Sequence, residues 1–560
     1  MRIKILRVII IGLFVLIAID LFYVQVIRGK YYHRLSVNNR IRVVSLEGRR
    51  GLIKDRNGVI LADNRHAYDV TITPQDVGDS KLLFNFLSNA LNVDEDLLIK
   101  RYNKKKFAPF EPVTIAENIE RQQAIIIEEN KYQFSSLNIK ETFKRIYPRG
   151  EKTSHVLGYV GKTDRFEADR LHEYGYSPLT LVGKSGIEEY YDAYLRGRAG
   201  GLQLEVDNRG RQVRILSFKD PASGEDIDLT IDSVVQDIAA DAMAGYVGAV
   251  VLMDMDNGEI LGMVSAPGFD PNEHAKNNAF SPYVNRAIQG LYPPGSVFKV
   301  LLAIGALDSK KINAYTNYFC PGYYELGNKK FGCTHNHGSQ NLIEAIAHSC
   351  NVYFFHLGLL LKETGIYEYA RLLGLGMRTH VDLPYEREGV IPSRRQRLLS
   401  GRGSWYAGDT LNFAIGQGDV LTTPLQLVKM MATIARGGVE VSPHLIKAIH
   451  QNPVKKFAFE RKVHVGPKVF EIVQRGLRET VTAQTGTAHV LDLSDVYVAG
   501  KTGTAQSAQG RENHAWFVGY TKNGAKNIAF CVFLEHGGSS QNACLVARQL
   551  LLQMKEKNII

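Results

Sequence analysis

Residues 291–307 read LYPPGSVFKVLLAIGAL, and this stretch decides the fold of the C-terminal half. Pro293-Pro294-Gly295 is a turn signal. Val297 to Leu307 is then an apolar run long enough for a buried helix. If Ser296 opens that helix, Lys299 follows one turn later on the same face, with its amine in reach of the hydroxyl. A serine hydroxyl is a poor nucleophile until a base takes its proton. A buried lysine with a lowered pKa is such a base. Alone the pattern is weak, since Ser-x-x-Lys is expected by chance about once or twice in a chain this long.

Upstream of this stretch, Val247 to Met255 and Glu259 to Val264 flank Asp256-Asn257-Gly258, a hairpin signal. Downstream, Asn341 to Leu361 reads as a second helix. Near the end VYVAGKTGTAQS, HAWFVGYT and NIAFCVFLEH read as three successive strands, closed by a helix from Cys544 to Met554. Strands at both ends with helices between predict one antiparallel sheet covered by helices, an α+β fold.

Two further motifs fall inside these elements. Ser349-Cys350-Asn351 lies in the second helical stretch, where a hydroxyl can relay a proton and an amide can hold a carbonyl. Ser36-Val37-Asn38, Ser339-Gln340-Asn341 and Ser540-Gln541-Asn542 share the pattern, with Ser339 the runner-up. Lys501-Thr502-Gly503-Thr504 sits in a predicted strand. A glycine there lets a ligand approach the backbone, and a lysine beside threonine hydroxyls suits a carboxylate.

Residues 25–220 differ in character. IRVVSLEG, GVILADN and YDVTIT read as half-buried strands, with Asp55-Arg56-Asn57-Gly58 as a turn. Asp79 to Tyr102, with Leu82, Leu83, Phe86 and Leu87, and Glu117 to Lys131 read as helices. This region concentrates no reactive side chains and reads as a spacer or docking module. Before it, Arg2, Lys4 and Arg7 precede an apolar run from Val8 to Val26, about the length of a membrane-spanning helix. No small-x-small site follows, which favours an uncleaved anchor over a signal peptide. The basic side would stay in the cytoplasm and the remainder would lie outside it.

The 560 residues suit two to four domains, at about 150 residues each. The net charge of +11 suits anionic polymers or lipid head groups, or no specific partner. Runs such as Arg101 to Lys106 are short, and no nucleic-acid motif is present. Five cysteines exclude a disulfide scaffold. Cys320, Cys333, His337 and Cys350 make a ligand set suited to tetrahedral zinc. Their C-x12-C-x3-H-x12-C spacing lacks a short C-x2-C pair, and His335 is an alternative to His337. A Cys320–Cys333 disulfide is the competing reading. Cys531 and Cys544 read as core.

The three motifs in this order occur together in penicillin-binding proteins and class A β-lactamases. The chain resembles the class B penicillin-binding proteins over nearly its whole length, most of all the elongation-specific penicillin-binding protein 2 branch. The resemblance rests on Tyr292-Pro293-Pro294-Gly295, Gly416-Gln417-Gly418, Thr423-Pro424-Leu425-Gln426, Lys501 to Gln506 and His337-Gly338. In the N-terminal part it rests on Arg50-Gly51, Arg145-Ile146-Tyr147-Pro148, Gly186-Ile187-Glu188, Tyr191 and Leu195-Arg196-Gly197.

That resemblance implies a cytoplasmic tail (1–7), a transmembrane anchor (8–26), an elongated mixed α/β pedestal and dimerisation module with a head (27–225), and a transpeptidase domain (230–560) that includes an all-helical subdomain. It implies peptidoglycan stem peptides as substrate, β-lactams as inhibitors, and a periplasmic catalytic domain on the inner membrane. RodA-type polymerase and MreC-type activator partners are implied as well. By the same resemblance Ser296 is the nucleophile, Lys299 the base, and Ser349 and Lys501 the proton route. Asn351 orients the donor, and Thr502, Gly503 and Thr504 form its binding strand. No cofactor is required for the chemistry, although some relatives place a metal in the region of the cysteines. The alternatives are a division transpeptidase, a carboxypeptidase or β-lactamase, a non-turnover β-lactam sensor and an inactive scaffold.

Overall fold

The computed structural model describes residues 2–32, 41–46, 48–106, 112–163, 181–206, 212–273, 281–401, 403–457, 460–507, 510–523 and 526–560. Ser36-Val37-Asn38 lies outside the described residues. Contacts divide the chain into two units. One holds Met1–Gly51, Asn64–Arg145 and Arg196–Gly224; the other holds Leu52–Asp63, Ile146–Leu195 and Glu225–Ile560.

The second unit is built on a five-stranded antiparallel sheet. Its strands are β1 (Gly248–Asp254), β2 (Ile260–Ala266), β3 (Val498–Ala505), β4 (His514–Asn523) and β5 (Lys526–Leu534), in the order β2-β1-β5-β4-β3. Side chains alternate between the faces of a strand. In β5, Ile528, Phe530, Val532 and Leu534 enter one core, while Ala529, Cys531 and Phe533 enter another. Both faces are therefore covered, which is why the strand reads as a continuous apolar run rather than an alternation. Helix α1 (Ser233–Ala242) contributes Val235 and Ile238 to the first core, and the C-terminal helix Ser540–Glu556 contributes Val546 and Leu550. The opposite core holds helix α2 (Lys299–Asp308), which is buried from Lys299 to Leu307 and correspondingly apolar all round.

The predicted helix from Asn341 to Leu361 is two helices, α3 (Leu342–Ala347) and α4 (Asn351–Leu372). The chain breaks at Ser349, whose φ is +56°. N-terminal motif residues in this unit are structural. Asp55 accepts the N–H groups of Asn57, Val59 and Ser233. Asp382 accepts the Tyr191 hydroxyl and the N–H groups of Leu445 and Ile446.

One strand, Ile60–Ile72, takes in Ile60 to Asn64 of GVILADN and Tyr68 to Ile72 of YDVTIT; it belongs to the first unit from Asn64 onward, where Tyr68 to Ile72 pair with Val113–Ile119. Asp79–Tyr102 is not one helix. It is Ser80–Leu91 and Glu95–Lys105, separated by Asn92 in the left-handed region and capped by Asp94. The face buried on the first of these is Leu83, Phe84, Leu87 and Leu91, and Leu82 is exposed. Glu117 to Ile119 is the end of a strand, and the helix beyond it is Arg121–Glu129. The N-terminal helix Ile3–Ile27 is long and apolar enough to cross a bilayer, and its side chains are not buried in protein.

Candidate active site

The Pro-Pro-Gly turn delivers Ser296 to the wall of a cleft in the second unit. Gly295 has φ +54°, and a Cβ there would lie 2.7 Å from the Thr504 carbonyl oxygen. Only glycine allows strand β3 to pass so close to the turn. Gly416 is required for the same reason, since a Cβ on it would meet the Gly295 oxygen at 2.3 Å. Residues Gly295–Phe298 form a 3-10 turn that continues into α2, so Lys299 follows Ser296 by one turn.

Lys299 is wholly buried. Its ammonium donates to the Ser349 carbonyl oxygen (2.8 Å), the Ser349 hydroxyl (3.3 Å) and Asn351 Oδ1 (2.6 Å). Burial pulls its pKa down to about 8, opposed by the nearby Cys333 and Cys350 thiols. The break between α3 and α4 makes this convergence possible. The left-handed turn at Ser349 aims its carbonyl and hydroxyl at the same cation that Asn351 holds from the start of the next helix. A non-glycine residue there costs about 1–2 kcal/mol, and the lysine contacts offset it.

Lys501 on β3 is also wholly buried. Burial lowers its pKa well below the usual lysine value, and the charge of Lys299 lowers it further. Two ammonium groups so placed favour a state in which one has given up its proton. The Lys501 ammonium lies 3.5 Å from the Thr502 hydroxyl, which donates to the Thr487 hydroxyl at 2.8 Å. Gly503 has no room for a side chain, since a Cβ would lie 2.9 Å from the Pro294 oxygen. Thr504 is exposed, and its carbonyl oxygen accepts from Gln417.

A cleft of about 1130 Å³ is lined by Ser296, Ser349, Asn351, Thr502 and Thr504. Lys299 and Lys501 lie beneath it, bonded to Ser349 and Thr502 respectively. The runner-up Ser339 is exposed on a short strand paired with Phe319 and is not part of the cleft wall.

Residues 248–552, more than half the chain, match the penicillin binding protein transpeptidase domain family. The chain belongs to the penicillin-binding proteins. This penicillin-binding protein also matches the penicillin-binding protein dimerisation domain over residues 45–229. It is 33% identical to the peptidoglycan D,D-transpeptidase MrdA of Acinetobacter baumannii, over 96% of this chain and 85% of the relative. Penicillin-binding protein 2 of Helicobacter pylori, solved in complex with MreC, is 27% identical with a TM-score of 0.82, covering 93% of this chain and 99% of that one. A chain from a peptidoglycan synthase complex, described as coordinating polymerization and crosslinking, is 30% identical with a TM-score of 0.72, over 99% and 98% of the two chains. The penicillin-binding protein is thus of class B and resembles the penicillin-binding protein 2 branch.

Cys320, Cys333, His337 and Cys350 come together, with their ligand atoms all within 4.8 Å of one another. His337 Nδ1 lies 3.5 Å from both Cys320 Sγ and Cys333 Sγ. A tetrahedral zinc with bonds of about 2.3 Å to sulfur and 2.0 Å to nitrogen needs ligand separations of about 3.5–3.8 Å, which the two His337 distances match. Cys320 and Cys333 are free thiols rather than a disulfide. His335 offers Cys320 its backbone oxygen, and its ring is not in the set.

Sequence reasoning overlooked His348, Thr485 and Thr487 in the cleft wall of this penicillin-binding protein. A signal existed: Thr485-Gly486-Thr487-Ala488 repeats the tetrapeptide Thr502-Gly503-Thr504-Ala505.

Proposed function

We propose that this chain is a peptidoglycan D,D-transpeptidase that cross-links stem peptides during wall elongation through an acyl-enzyme on Ser296. The observation that carries this reading is the buried ammonium of Lys299, one turn from Ser296 and bonded to both Ser349 and Asn351. Ser296 Oγ attacks the carbonyl carbon between the two terminal D-alanines while Lys299 takes its proton. The C–N bond breaks, and D-alanine leaves with a proton delivered through Ser349 and Lys501. The N–H groups of Ser296 and Thr504 stabilise the oxyanion, usually the largest single contribution. Thr504 hydrogen-bonds the donor carboxylate beside Thr502, and Asn351 holds Lys299 as well as the donor. An amine from a neighbouring stem then takes the acyl group. β-Lactams enter by the same first step.

The Cys320, Cys333, His337 and Cys350 set would hold structural zinc. It would supply no chemistry to the reaction. It would brace the turn that carries Ser349, because Cys350 is its neighbour and the Asn351 N–H donates to Cys333 Sγ at 3.1 Å. The apolar N-terminal helix supports a single-pass inner-membrane anchor over residues 8–26. Arg2, Lys4 and Arg7 support a cytoplasmic tail over residues 1–7 and a periplasmic remainder. The N-terminal module (27–225) would dock an MreC-type activator, a reading supported by likeness to the Helicobacter pylori penicillin-binding protein 2 that was solved in complex with MreC. Glycan polymerisation would fall to a RodA-type partner, a reading supported by likeness to the synthase complex. The transpeptidase domain would be 230–560.

The test supplies the full chain with nascent, uncross-linked peptidoglycan and analyses the products by muropeptide mass spectrometry. Cross-linked dimers that vanish in Ser296→Ala are expected. Shortened stems without dimers would instead identify a carboxypeptidase.

A further inference from the structure

We propose that Thr485 is the hydrogen-bond acceptor for the incoming amine, set in that role by His348. This deepens the transpeptidase reading and rests on it. The argument is one of hydrogen-bond polarity. Gln340 Nε2 lies 3.0 Å from the His337 carbonyl oxygen and 3.1 Å from that of Ser339. Carbonyls only accept, so the amide nitrogen faces them and Oε1 faces His348. His348 Nδ1 is 2.7 Å from that Oε1 and must therefore carry hydrogen. In the neutral imidazole the lone pair is then on Nε2, 2.8 Å from the Thr485 hydroxyl. The Thr485 proton is spent on His348, and its oxygen presents only lone pairs.

Thr485 is exposed and lines the same cleft as Ser296. Its turn is fixed. The Thr487 N–H donates to the Ala347 carbonyl, and Gln541 donates to the Thr487 carbonyl at 2.9 Å. The proposed reaction asks two different things of this cleft. The donor carboxylate and the oxyanion need hydrogen-bond donors, which Lys501, Thr504 and the backbone N–H groups provide. The amine needs an acceptor that leaves its own lone pair aimed at the acyl carbon. Lone pairs on Thr485 repel a carboxylate and attract an N–H. In the transfer step the neutral amine nitrogen attacks the acyl carbon on Ser296. A C–N bond forms, the C–Oγ bond breaks, and one amine proton ends on Ser296 Oγ. The other N–H rests on Thr485 Oγ during the approach.

The experiment uses the full chain in detergent, an acyl-D-alanyl thioester as donor and D-alanine as the amine. Penicillin adduct formation is measured alongside. Thr485→Val should raise the amine concentration for half-maximal transfer about tenfold, the effect of one lost hydrogen bond, and Thr485→Ser should restore it to within about twofold. His348→Asn should raise it too, and the double variant should be no worse than Thr485→Val alone, because both remove one interaction. An unchanged amine dependence in Thr485→Val, or full additivity, would overturn the assignment. A parent protein that forms no penicillin adduct would sink the transpeptidase reading itself.

Discussion

The ammonium of Lys299 stands 2.6 Å from Oδ1 of Asn351. The base of the first motif is thus held by the amide of the second, 52 residues away in sequence. Nδ2 of the same amide donates to the Gly332 carbonyl oxygen at 3.1 Å, which fixes the amide's orientation.

Lys299 acts as a neutral amine, so acylation should depend on its deprotonated fraction. With its pKa brought down to about 8, the rate of penicillin acylation should climb up to pH ~8 and level off above it. Lys299→Met should lower the rate by about 10²–10⁴-fold. The linkage to stability has a defined sign. The folded value lies below the unfolded value of about 10.4, so between pH 8 and 10.4 the unfolded chain binds more protons and stability rises with pH. That rise should shrink in Lys299→Met, as read from urea midpoints across this range.

Ser349→Gly separates the backbone from the hydroxyl. Glycine adopts φ +56° without penalty, so the variant should keep or gain up to about 1 kcal/mol of stability. Loss of the hydroxyl should slow acylation by about 10²-fold or more. Thermal melting and acylation kinetics on one preparation check both halves.

Gly295→Ala places a methyl group 2.7 Å from the Thr504 oxygen at a positive φ. It should push the Ser296 turn away from β3 at a cost of about 1–3 kcal/mol and depress acylation along with stability. Gly245→Ala, at φ +81° with nothing within 4 Å of its Cβ, is the control for backbone strain alone.

The sheet was legible in sequence because each strand of β3, β4 and β5 is a long apolar or β-rich run bounded by turns. The first motif was legible because its turn chemistry is local. The break at Ser349 was not. Ser349-Cys350-Asn351 sits between apolar segments that both favour helix, and a contact with Lys299, distant in sequence, accompanies the left-handed turn. The break at Asn92 differs, since Asn92 and Asp94 are local stop and start signals that the apolar pattern of Leu83 and Leu87 obscured. The cysteine spacing was ambiguous because two short hairpin pairings, Tyr318–Cys320 with Gly338–Gln340 and Tyr323–Leu326 with Lys329–Gly332, bring the ligands together.

Metal analysis tests the cysteine set. About one zinc per chain is expected from three thiols and an imidazole gathered within 4.8 Å of one another. Chelation or Cys320→Ala should lower the melting temperature by several degrees and slow acylation, because the site braces the Ser349 turn. Metal-free protein with full stability and full acylation would contradict it.

The central claim is that Ser296 becomes acylated in a cleft activated by Lys299, Ser349 and Lys501. Intact-protein mass spectrometry after penicillin exposure measures this directly. A persistent adduct of one penicillin mass on the parent chain, mapped by peptide digestion to Ser296 and missing from Ser296→Ala, is the predicted result. An adduct at another residue, or equal labelling of Ser296→Ala, would contradict it.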